Sequence, residues 1–393
     1  MDTENSQSFD KWKIPLYKVY TDDEDINLIT KIIKRGSQWA LGPEIEEFEN
    51  NIKEYVGCDY CLTLNSGTSA LHATFLASGF GPNDEIIVPS FSFVSTANSV
   101  LFVNSKPIFA DIEKDNFGLD PDLISNHITS QTKAIVPMDY GGLSCKIIDL
   151  KKIAHENNLM LIEDGAEALG SSVNGKKTGS IADVTIFSFC GNKVLTTGEG
   201  GAITTNSKDL YEKIKSIRSH GRIDTTSYFS NPEESQYVSL GYNWRMSSIT
   251  AALGISQLGK LDKIIKMRKE NAEFISSNLV KLSKEIRLPY HSEKYENIYQ
   301  MYTIMLNDQE TRDNLHKFLL DKKIFSKVYF YPIHLTKFYQ DKFDINDNNL
   351  SMTIDISKKI LTLPLYPNMT HEEKTYLVNS IFEYFESRNK LIL

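Results

Sequence analysis

Residues 188–201 read SFCGNKVLTTGEGG and overlap the end of the apolar run DVTIFSF at residues 183–189, so Lys193 stands in a glycine-flanked turn just beyond a strand-like segment. A lysine amine attacks a carbonyl only when its charge is suppressed by burial or by neighbours, and a turn held by packed strands supplies that setting. An aldehyde cofactor is the matching partner. The turn alone leaves a solvated loop lysine open as the alternative.

Working outward, short apolar runs alternate with amphipathic stretches from about residue 58 to 205. Residues 61–64, 85–88, 107–109, 134–137, 160–162, 184–188 and 201–205 each fit a short buried strand. Between them, residues 69–78, 92–103, 149–156 and 208–219 fit crossover helices. That pattern predicts an α/β fold, with a mainly parallel sheet of seven strands covered by helices on both faces. From Ser247 a helical pattern runs past residue 280, with Gly254 and Gly259 as interruptions, and bridges to a smaller part. The division expected is a large domain over 1–260 and a small α+β domain over 261–393. In the latter, YQMYTIML and KVYFYPIH alternate like strands, and Thr370 caps a final helix. The first fifteen or so residues are expected to be loosely ordered.

Length supports the two-part reading, since 393 residues exceed what one hydrophobic core usually serves. A mean hydropathy of −0.30 with 41% hydrophobic and 24% charged residues excludes the bias that marks disorder. A formal charge of −8 argues against a general attraction to nucleic acid or to anionic membrane, so anionic ligands must be held locally. The acidic, polar start MDTENSQSFDKWK does not read as a secretory signal, and no apolar run reaches the roughly 20 residues of a membrane span. A cytoplasmic protein is expected. Cys58 and Cys61 form a CxxC pair, but neither Cys145 nor Cys190 adds a finger-spaced ligand, so no metal site is expected and a half-buried strand accounts for the pair.

In chain order the sequence offers SGTSAL (66–71), SFSFVSTANSV (90–100), EDGAEALG (163–170), SFCGNK (188–193), GEGG (198–201) and GYNWRMS (241–247). Each is weak alone. Together they resemble the DegT/DnrJ/EryC1/StrS family of nucleotide-sugar aminotransferases, enzymes of pyridoxal phosphate fold-type I, over nearly the whole chain. The resemblance implies that Lys193 carries the cofactor aldehyde and that Asp164 faces the ring nitrogen. It gives Ser66, Gly67, Thr68 and Ser188 to the phosphate, a reading that the strand-to-helix position of SGT also supports. Phe93 is implied to stack on the ring and Glu167 to lie near its phenolic oxygen. Taken singly, Asp164, Ser66 and Thr68 also read as helix caps and Phe93 as core.

The resemblance further implies a homodimer whose loop GYNWRMS crosses to the neighbouring subunit, with Asn243 on the partner's phosphate. Arg222 and Arg245 are candidates for the donor carboxylate or a diphosphate, with ion pairs as their structural alternative. His334 matches a position near the sugar, and Lys327 stands where arginine is common. Gly165 and Cys190 depart from the usual residues. Glu at position 167 and the GNK turn resemble the branch that aminates the fourth sugar carbon, which implies L-glutamate as donor and a nucleotide-linked 4-keto-6-deoxy sugar, GDP- or UDP-linked, as acceptor. Two other classes fit the sequence less well. A dinucleotide oxidoreductase lacks support because GxGxxG is absent, and a regulatory protein keeping the fold would have lost a site residue or gained a DNA-binding module.

Overall fold

Every one of the seven apolar runs forms a strand of one sheet. In the computed structural model, which describes residues 11–223, 236–343, 345 and 347–392, they are β1 Tyr60–Leu64, β2 Glu85–Pro89, β3 Lys106–Ala110, β4 Thr132–Ile135, β5 Met160–Asp164, β6 Val184–Ser188 and β7 Gly201–Thr205. The spatial order is β1-β7-β6-β5-β4-β2-β3, parallel except that β7 runs antiparallel to both neighbours. All residues of β2 and of β7 are buried, because helices cover both faces. Crossover helices Gly67–Ala77, Ser95–Phe102, Ile147–Glu156 and Lys208–Ile217 fall where the sequence places them, within a few residues.

The long helical pattern is two helices, Ser248–Gly259 and Leu261–Leu279, parted at Lys260 with φ −111° and ψ 7°. Gly254 does not interrupt the first. It makes room instead, since a Cβ there would lie 2.4 Å from the Phe48 ring. Beyond the break a second antiparallel sheet forms from β8 Ile286–Arg287, β9 Tyr302–Leu306 and β10 Ile360–Leu363. Its apolar cluster joins Tyr302, Ile304 and Leu361 to Leu315 and Leu377 of helices Gln309–Asp321 and His371–Ile392. Thr370 caps the last helix as expected, accepting from Glu373 N at 3.1 Å.

One strand expectation fails. KVYFYPIH is no strand: a single bridge, Lys327 to Thr362, ties it to β10 before Pro332 and a 3-10 turn, Ile333–Leu335, carry it away. Proline has no N–H for a ladder, and Ile333 N donates to Ser90 O instead, at 2.9 Å. Only residues 11–15 of the expected loose start are described, and there the chain is held in the fold. Residues 1–10 lie outside the described residues, but Ile14 is fully buried and donates to Lys323 O at 3.2 Å. Among the described residues no helix is long and apolar enough to cross a membrane.

Candidate active site

A cleft of about 390 Å³ opens at the carboxyl ends of β5 and β6, where open α/β sheets bind ligands. Asp164, the last residue of β5, lies on its floor with 3% of its surface exposed. Thr96 Oγ1 donates to Asp164 Oδ2 at 2.7 Å and is itself 2.8 Å from Ser92 Oγ, while Ala166 N reaches Oδ1 at 3.3 Å. Burial pushes this carboxyl above the ordinary carboxylate range, with the Thr96 hydrogen bond pulling the other way. A charge-bearing N–H above the floor would satisfy that carboxylate.

Lys193 enters from the turn after β6. Its backbone N donates to Cys190 O at 2.9 Å, and Thr197 N closes the loop onto Phe189 O at 2.9 Å. The turn rests on Phe189, fully buried against Phe48 with ring centroids 5.5 Å apart. Lys193 Nζ donates to Glu167 Oε1 at 3.1 Å, and Gly141 N donates to Glu167 Oε2 at 2.9 Å. The two side chains are 14% and 6% exposed, so the pair is largely out of water yet open to the cleft.

The cradle is the start of helix Gly67–Ala77. Ser66 Oγ accepts from Ser69 N at 3.1 Å and Ser69 Oγ from Ser66 N at 3.2 Å, a reciprocal cap that leaves the next N–H groups for an anion. The cradle packs tightly on the sheet ends: a Cβ at Gly67 would sit 3.1 Å from Ser188 Cβ. Ser66, Gly67, Thr68 and Ser188 all line the cleft. So does Phe93, which is 59% exposed. Its ring lies in the wall of the cleft rather than in the core, the alternative that the sequence left open.

The structure thus brings Lys193, Asp164, Glu167, Phe93, Ser188 and the 66–68 turn into one cleft. Four expected residues are elsewhere. Asn243 is exposed and does not line the cleft of its own chain. Arg222 is buried in a two-residue strand, and Arg245 Nη1 donates to Ser219 Oγ at 3.2 Å. His334 is 1% exposed, with Nδ1 2.5 Å from Ser90 Oγ, and does not line the cleft. Sequence reasoning missed Thr96, Ser92 and Tyr329. Thr96 stands at i+4 from Ser92, a helical spacing that turns two hydroxyls to one side, but the partner carboxylate is 68 residues away. Lys327, noted only as a departure, lines the cleft with its Nζ 4.5 Å from the Tyr329 ring centroid.

These residues fit pyridoxal phosphate. The capped helix start and Ser188 would hold its phosphate, Phe93 one face of its ring, Asp164 its ring nitrogen and Lys193 its aldehyde carbon. A buried carboxyl facing an open ring-sized space is costly without such a cation and apt with one.

Comparison with known proteins agrees. The GDP-perosamine synthase of Escherichia coli O157:H7 is 32% identical over 380 residues, 95% of this chain and 99% of that protein. The UDP-4-amino-4,6-dideoxy-N-acetyl-beta-L-altrosamine transaminase of Campylobacter jejuni is 32% identical over 94% of this chain and 96% of its own. Among solved structures, Helicobacter pylori PseC, an aminotransferase of pseudoaminic acid biosynthesis, superposes with a TM-score of 0.89 at 30% identity, covering 95% of this chain and 99% of that one. The profile of the DegT/DnrJ/EryC1/StrS aminotransferase family matches residues 19–382. With that match and with Lys193, Asp164 and the anion cradle in one cleft, the chain belongs to this family and is a pyridoxal phosphate-dependent sugar aminotransferase.

Proposed function

We propose that the enzyme moves an amino group from L-glutamate to the fourth carbon of a nucleotide-linked 4-keto-6-deoxy sugar, with GDP-4-keto-6-deoxy-mannose as acceptor and GDP-perosamine as product. The observation that carries this reading is the Lys193–Glu167 pair, a carboxylate 3.1 Å from the lysine amine in a cleft with Asp164 on its floor. GDP-perosamine synthases 32–36% identical to this chain support the acceptor. The Campylobacter relative supports a UDP-linked sugar as the second reading.

Bound pyridoxal phosphate supplies the aldehyde that takes up the amine and a ring that delocalises the electron pair of the donor carbon. The chain's own residues do the rest. Lys193 Nζ, once free, takes the proton from the donor α-carbon and returns it on the cofactor side, then reverses the transfer for the keto sugar. Glu167 Oε1 keeps Nζ on station. Asp164 holds the proton on the ring nitrogen, and the amides of residues 66–68 fix the phosphate. Lys327 is assigned to an anionic group of the substrate, a role its place on the cleft wall supports.

The working unit is assigned as a homodimer in which Asn243 reaches the partner's phosphate and Arg222 and Arg245 serve substrate anions at the shared edge. His334 is kept near the sugar, supporting the wall through Ser90. The large domain spans 1–260 and the small one 261–393, dividing at the helix break of Lys260. Absorption spectroscopy tests the reaction: the visible band of the cofactor-loaded protein should be bleached by L-glutamate and restored by the GDP-linked keto sugar. Restoration by the UDP-linked sugar alone would establish the second reading, and a band indifferent to glutamate would refute the donor.

A further inference from the structure

Arg268 sits in helix Leu261–Leu279, is 4% exposed, and has no carboxylate within ion-pair distance among the described residues. Burial lowers its pKa, yet a guanidinium stays charged, so placing it there is expensive. Its donors go to two backbone carbonyls: Nε to Tyr299 O at 2.8 Å and Nη2 to Gln300 O at 2.9 Å. A planar fork of this kind holds two adjacent carbonyls in fixed register, which an ammonium on a flexible stem does not.

What the fork holds leads to the active site by two routes. Gln300, 6% exposed, donates from Nε2 to Asn192 O at 2.8 Å, the carbonyl just before Lys193. Met301 N donates to Gly141 O at 3.1 Å, and Gly141 N donates to Glu167 Oε2 at 2.9 Å. Glu167 Oε1 then meets Lys193 Nζ at 3.1 Å, which closes the loop. Segment 299–301 therefore touches the backbone beneath the lysine and the backbone beneath its carboxylate partner.

We propose that Arg268 and Gln300 are positioning residues for Lys193: Arg268 fixes segment 299–301, and Gln300 uses that fixed point to hold the lysine turn opposite Glu167. Neither touches the reacting atoms. The idea rests on Lys193 carrying the cofactor and is independent of which sugar is aminated. Misplacement of a reacting group by about 1 Å costs on the order of a hundredfold in rate, so loss of the clamp is read at Lys193 before it is read in the fold.

The test uses the full-length protein and pyridoxal phosphate alone. Gln300→Met removes the donor at similar volume, and Arg268→Lys keeps the charge but loses the fork. Three quantities are measured: the rate at which Lys193 is loaded, by borohydride trapping and mass spectrometry; the midpoint of the pH titration of the visible band; and the melting temperature of the cofactor-free protein. Gln300→Met should slow loading by about tenfold or more and shift the midpoint by about half a pH unit, with melting little changed. Arg268→Lys should do the same to a smaller degree. Wild-type loading and midpoint in Gln300→Met would overturn the proposal, as would a lowered melting temperature with loading unaffected, which marks a structural role alone. A wild-type protein that never loads Lys193 would overturn the lysine assignment itself and the proposal with it.

Discussion

Asp164 is 3% exposed and its carboxyl is pushed above the ordinary range by burial. A group whose pKa is raised on folding adds stability below its unfolded value and loses it as pH rises through the folded one, so at neutral pH the ionised form is a liability to the cofactor-free protein. Asp164→Asn removes that liability and also removes the partner proposed for the ring nitrogen. Differential scanning fluorimetry between about pH 4 and 8 should find the cofactor-free variant melting above wild type at neutral pH, with the gap closing as acid protonates Asp164. The same variant should lose amine transfer by on the order of a hundredfold or more, because a group that stabilises charge formed during the reaction is gone. Lys327 makes the complementary case. With Lys193 attached to the cofactor, Lys327 remains as a cation among the described cleft-lining residues, over the Tyr329 ring, and is proposed to meet a substrate anion. Lys327→Ala should raise KM about tenfold in whichever half-reaction uses that anion, leaving the spectrum before substrate unchanged; Lys327→Arg should restore most of it. Steady-state kinetics with each substrate varied in turn decide whether it holds the donor carboxylate or the diphosphate.

At the scale of elements, the proposed phosphate cradle depends on how closely helix Gly67–Ala77 approaches β7. A Cβ at Gly201 would stand 2.5 Å from Ser66 O and 2.7 Å from Gly67 N, both backbone atoms that no rotamer change can relieve. Gly201→Ala should therefore shift the cradle, costing about 1–3 kcal/mol of stability and at least tenfold in cofactor affinity, measured by fluorescence titration. The strands and crossover helices of the large sheet were legible because a doubly covered sheet writes itself as short apolar runs between amphipathic ones. Lys193, Asp164 and the 66–68 turn were legible because each stands at the end of such a run. Thr96, Gln300 and Arg268 were not. Their partners are 68, 108 and at least 31 residues away, and a hydroxyl, an amide or an arginine carries no local sign of such a partner. KVYFYPIH was misread for the opposite reason: its alternation reflects packing over β2 and the cleft, whereas Pro332 withholds the ladder.

For the whole molecule, the question is whether one chain makes one site. The loop 237–243 exposes Tyr237 at 62%, Val238 at 55% and Leu240 at 82%, more apolar surface than isolated residues account for. Asn243, exposed at the end of this loop, is assigned to the phosphate of a second copy. If each site draws Lys193 from one subunit and Asn243 from the other, two inactive variants can complement each other. In a mixture of Lys193→Ala with Asn243→Asp, the site built on the second chain has its own Lys193 and the first chain's intact Asn243. Half of randomly re-formed dimers are hybrids and each has one whole site, so activity should recover to about a quarter of wild type. Native mass spectrometry counts the hybrids while the amine-transfer assay counts the sites. If hybrids form and activity stays at the sum of the two parents, Asn243 does not serve the partner, and the site is complete within one chain.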